Sequence, residues 1–153
     1  DKATLKAASM KAAQVPDWII QKDFSMLKAL PEKIKRLAGM IAARSMDCQY
    51  IWDAQATAGR QAGLSHGLIE ALREKNPLSS LPADEAPLVH YGEELVHTHY
   101  VSEQVFQAAL DQVGLQGLTE FTTYIGYYRM LALNANAFTI DIPEDRTETL
   151  LPI

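Results

Sequence analysis

The chain holds a single cysteine, Cys48, among its 153 residues. It can form neither an intrachain disulfide nor a cysteine-rich zinc site, so the fold must rest on apolar burial, and a reducing cytoplasm suits such a chain. Long apolar runs are also missing. None approaches the roughly 18 residues that cross a bilayer, and the start carries no charged segment leading into an apolar signal core. A membrane partner is therefore not expected, while the opening on Asp1 rather than Met leaves a processed N-terminus open. A basic stripe is lacking as well. The formal net charge is -5 and Lys, Arg, Asp and Glu are interspersed, so nothing could neutralise a phosphate backbone and nucleic acid is not an expected partner.

The alternating, β-branched pattern of strands is absent throughout, and no Asn-Gly or Asp-Gly hairpin signal occurs. What is present is helical spacing. With 48% hydrophobic and 22% charged residues, the chain has the make-up of one globular domain with a real core. From Pro31 to Met46 the apolar positions Ile34, Leu37, Ala38, Ile41 and Ala42 recur at helical intervals, with Pro31 suited to a first turn. Asp47 can cap a second helix from about Cys48 to Ala62, stopped by Gly63. Two helices joined so tightly form a hairpin.

Ser65 can cap a short helix, Gly67 to Lys75, ended by Asn76-Pro77 and followed by a loop from Pro77 to Ala83. Further helices are expected from Asp84 to about His99, from a Ser102 cap through Val113 with Gly114 as its stop, and from Leu118 to Phe138. The expected fold class is all-α, built on an antiparallel helical hairpin. The segment from residue 1 to 15 reads as a mobile or subunit-bridging helix, and the tail from 139 to 153 as an extended segment ordered by a neighbouring subunit.

The chemical inventory is short. Cys48, at a helix start, stands where the helix dipole lowers a thiol pKa and raises reactivity, although most lone cysteines are small buried hydrophobes. Cys48, Ile51, Trp52 and Gln55 are spaced so as to share one helix face, which is either a pocket wall or a packed seam. Tyr50 and Trp52 have ring bodies suited to lining a pocket and polar tips that need partners, as structural aromatics also do. His90, His97 and His99 lie near Glu93 and Glu94, but their spacing fails the His-Glu-x-x-His zinc motif, so no metal is expected. Nucleophile triads, glycine-rich phosphate loops and dinucleotide fingerprints are absent. No cofactor is implied.

The run RLAGMIAARSMDCQYIWDAQATAGRQAGLSHGLIEALRE, followed by ELVHTHYVSEQVFQAAL and TEFTTYIGYYRMLALNANAF, resembles the carboxymuconolactone decarboxylase superfamily, which includes alkylhydroperoxidase D. The likeness spans Leu30 to Pro143 and implies an alkylhydroperoxidase D-like helical bundle that assembles as a dimer, trimer or hexamer. The redox branch of that family uses C-x-x-C-x-x-x-H on one helix face, with a glutamate upstream on the partner helix. In this chain Cys48 matches the first cysteine. The second falls on Ile51, the histidine on Gln55 and the glutamate on Arg36.

Without a second thiol the disulfide cycle cannot run, and the neutral Gln55 amide cannot relay a proton. Arg36 instead offers a planar cationic fork suited to a carboxylate or enolate, and a thiolate at Cys48 if the two face each other across the hairpin. The leading expectation is a protein acting on a small organic acid, lactone or aromatic degradation intermediate. In it Arg36 and Gln55 orient the compound, Cys48 or a tyrosine takes part, and Tyr50, Ile51 and Trp52 line the site. The alternatives are a one-cysteine thiol peroxidase and a catalytically silent oligomeric binding protein.

Overall fold

The computed structural model describes residues 28–76 and 81–153. Within them the chain forms five helices and no strand: α1 (Glu32–Ser45), α2 (Gln49–Gln61), α3 (His66–Glu74), α4 (Ala86–Thr98) and α5 (Glu103–Phe138). The fold is all-α, as the apolar spacing requires. The segment 1–15 and most of the 77–83 loop lie outside the described residues.

Helix α1 is the hub, packed against every other helix and most heavily against α5 and α2. Its run from Leu37 to Ala43 is apolar all round, and Leu37, Ala38, Met40, Ile41, Ala42 and Ala43 are wholly buried. A helix buried on all sides is the expected outcome of such a composition. Pro31 stands just before the first turn as the N-cap rather than within it.

The turn into α2 differs from the expected cap. Asp47 adopts a left-handed φ of 46° and directs its carboxylate back to the Arg44 guanidinium. The Cys48 amide donates to Ala43 O at 2.9 Å and the Asp47 amide to Arg44 O at 3.3 Å, the Schellman arrangement that ends α1. Cys48 is therefore the N-cap of α2. Asp47 is used to close the first helix, not to open the second.

Ser65 does cap α3, its Oγ accepting from the Leu68 amide at 3.2 Å. Buried Glu85 accepts from the Ser65 amide at 3.2 Å and from Ser65 Oγ at 2.9 Å, and Lys33 Nζ lies 3.2 Å from it. One carboxylate thus ties together the starts of α1, α3 and α4. Ser102 makes no side-chain cap; its amide and hydroxyl donate instead to Glu94 at 2.7 and 3.0 Å. Beyond it, Gly114 (φ 70°, ψ 173°) is non-helical, and the two helices that the sequence separates there meet at a kink within α5.

After Thr139 the chain runs back along α2. Trp52 Nε1 donates to Thr149 O at 3.0 Å, and the Gln49 amide both donates to and accepts from Leu151, each at 2.8 Å. Arg60 holds Glu148 through two bonds of 2.9 and 2.8 Å. The tail is pinned to its own chain.

Candidate functional site

Arg36 rises from the first turns of α1, Gln55 comes from the middle of α2 and Tyr128 from the second half of α5. Arg36 Nη1 donates to Gln55 Oε1 at 3.2 Å and to Tyr128 Oη at 3.4 Å. Its Nη2 pairs with Glu32 one turn earlier on α1, at the spacing that makes helix neighbours. Nε is buried with no acceptor. Two consecutive helices and a third remote in sequence therefore converge on one guanidinium.

Gln55 reaches this position because Gly39 leaves room for it. A Cβ on Gly39 would sit 2.7 to 2.9 Å from the Gln55 side-chain atoms, closer than real contacts allow. Gln55 is 7% exposed. Burial pushes the Tyr128 hydroxyl above the usual phenol range, against the opposing pull of the Arg36 charge and its hydrogen bonds with Gln55 and Arg36. At neutral pH it is a protonated donor. Tyr124 stacks on it at 6.4 Å and Tyr127 meets its edge at 5.3 Å. Beside the cluster a depression of about 410 Å³, lined by Glu32, Arg36, Ala58 and Gln61, opens to solvent.

The remaining residues singled out by sequence lie elsewhere. Cys48 (1% exposed), Ile51 (6%) and Trp52 (0%) belong to the core, so their shared face is a packed seam, and Tyr50 is half-buried against it. Cys48 takes no part in the Arg36 network, whose hydrogen bonds and ion pair run to Gln55, Tyr128 and Glu32. Its thiol is pushed up by burial, and the Ile51 and Tyr50 amides only partly offset this. The helix start does stabilise the thiolate, as the dipole argument holds, but desolvation is the larger effect. Among the described residues no group of three or more His, Cys, Asp or Glu could hold a metal.

Sequence reasoning missed Glu32 and Tyr128 as members of the cluster. Glu32 carries a legible signal in its spacing to Arg36. Tyr128 carries none, being 92 residues away from its partner.

A helical hairpin embraced by a long third helix defines an AhpD-like all-α fold. A solved structure from Agrobacterium tumefaciens shares it with a TM-score of 0.66, at 15% identity, covering 95% of this chain and 94% of that one. That structure is of a protein of unknown function described as a candidate antioxidant defence protein, AhpD. At this identity the likeness establishes the fold alone. No family model and no curated protein match the chain. No helix among the described residues is long and apolar enough to cross a membrane.

Proposed function

We propose that this is a carboxymuconolactone decarboxylase-like protein that binds a small organic acid, lactone or related enolisable compound at the Arg36, Gln55 and Tyr128 cluster. The observation that carries this reading is the single guanidinium shared between a buried amide and a protonated phenol. Arg36 offers the charge that a carboxylate or enolate oxygen needs, Gln55 fixes the plane of the guanidinium, and Tyr128 presents a hydroxyl that can protonate or hydrogen-bond a developing oxyanion. Glu32, half exposed beside Arg36, is the nearby carboxylate able to accept a proton. The high thiol pKa and burial of Cys48 speak against a one-cysteine peroxidase. Assembly with copies of itself, which the family likeness implies, is supported by Met130 and Leu133, exposed apolar side chains one helical turn apart on α5.

Calorimetric titration with a panel of hydroxy acids and lactones, with turnover followed by product analysis, tests the proposal. Arg36→Ala should weaken binding of an anionic member by roughly tenfold or more, the worth of a charge-assisted hydrogen bond. Tyr128→Phe should preserve binding and lower any turnover. Full binding by Arg36→Ala would remove the cluster from the function. A ligand bound unchanged by the wild-type protein would make it a binding protein rather than an enzyme.

A further inference from the structure

A second polar cavity lies at the opposite end of α1. It contains about 120 Å³, where the last turns of α1, α3 and α4 meet, and Arg44 on its wall stands roughly 12 Å along the helix from Arg36. Ala71 and Leu72 provide an apolar floor, while Arg44, Lys75, Asn76, Glu93 and His97 line the rest. Its volume is several times the ~30 Å³ share of one water. It therefore has room for a small organic molecule.

The charged groups around it are incompletely satisfied. Arg44 is 6% exposed; Nη1 pairs with Asp47, but Nε is buried without an acceptor. Lys75 Nζ lies 4.0 Å from the same Asp47 oxygen, too far for a hydrogen bond. Glu93 has one charged contact, His97 Nδ1 at 3.6 Å, and that nitrogen is engaged with Glu93 O at 2.8 Å. An under-partnered guanidinium, an ammonium and a carboxyl with no bonded donor among the described residues face one small space. Arg44, 6% exposed with Nε unpartnered, is the buried member of the set, and a buried polar group left in this state calls for a partner.

We propose that this cavity is a second small-molecule site that takes a small carboxylic acid as its anion, with Arg44 and Lys75 supplying the positive field and Asn76 and Glu93 the hydrogen bonds. Asp47 is held by Arg44 Nη1, so the Arg44 Nε and the Lys75 ammonium remain as donors on the wall. Glu93 is faced by His90 and His97 on its own helix, by Lys75 from the end of α3 and by Arg44 from α1. Burial still raises its carboxyl above the ordinary range against all four. A ligand anion raises it further, so the carboxyl enters the complex protonated and donates to the ligand. Binding then takes up a proton, and affinity falls as pH rises through the Glu93 pKa.

Titration of the full chain with sodium acetate at about pH 5 and about pH 8, followed by NMR of the Ser45, Lys75 and Asn76 amides, tests the site. Saturable shifts at these amides, tighter at the lower pH, are expected. Lys75→Gln should weaken acetate roughly tenfold. Glu93→Gln, a permanent donor in the same place, should bind at the higher pH at least as well as wild type does at the lower and lose the pH dependence, whereas His97→Gln should keep it. Absence of shifts at these amides, or an unchanged affinity in Lys75→Gln, would overturn the proposal. So would loss of acetate binding in Glu93→Gln together with tighter binding of methylammonium than of acetate by wild type, since Glu93 would then serve a cation.

Discussion

Cys48 illustrates how burial decides the chemistry of a side chain that sequence places at a reactive spot. The amides of Tyr50 and Ile51 favour its thiolate, yet removal from water disfavours that charge more. Iodoacetamide alkylation across a pH series should show a native-state profile displaced above the ordinary thiol value of about 8.5, with the full rate restored in denaturant. A midpoint below that value would return the thiol to the list of reactive groups. Arg36 shows the converse. Its residue type suggested an anion partner, and Glu32 supplies one from the preceding turn of its own helix, but Gln55 and Tyr128 are selected only by the packing of α1 against α2 and α5. Gly39 has the least visible role: its missing Cβ leaves the space that Gln55 occupies.

At the scale of elements, helix spans were largely legible because apolar spacing and capping residues are local signals. Ser65 caps α3 as its chemistry predicts, and Gly63 is in a positive-φ turn after α2. Asp47 was misassigned because its carboxylate pairs with Arg44 three residues back, whereas Ser102 stands at the expected N-cap position but spends its hydrogen bonds on Glu94. Gly114 was correctly seen as a break, since its backbone is non-helical and the two parts of α5 meet there at a kink. Its φ of 70° and ψ of 173° belong to a region that is essentially glycine-only. Gly114→Ala should therefore cost on the order of 1–3 kcal/mol in urea unfolding, and because a Cβ there meets nothing within 4 Å, the cost is conformational rather than steric. An unchanged midpoint would mean that the interruption readily anneals into regular helix.

Across the whole molecule, burial of carboxyls sets the response to pH. Asp53, with Oδ1 buried and unpartnered, and Glu93 both have pKa values raised chiefly by desolvation. In the unfolded chain each loses its proton at a lower pH than in the fold, so the stability associated with the protonated groups is present below the unfolded values, about 4, and is lost as pH rises through the folded ones. The double variant Asp53→Asn, Glu93→Gln should melt higher than wild type at neutral pH, with the gap closing below about pH 4; a constant gap across pH would assign the effect to packing instead. The sequence by itself determined the all-α class, the hairpin and most helix ends, since these follow from periodicity and backbone chemistry within a few residues. It also marked Arg36 and Gln55. Only the tertiary structure decided that Cys48, Ile51 and Trp52 face the core, that Tyr128 completes the Arg36 cluster, that the tail lies on α2, and that Arg44, Lys75 and Glu93 share a cavity. Those outcomes depend on which surfaces lose water and which distant donors meet which acceptors, and neither is encoded by local spacing.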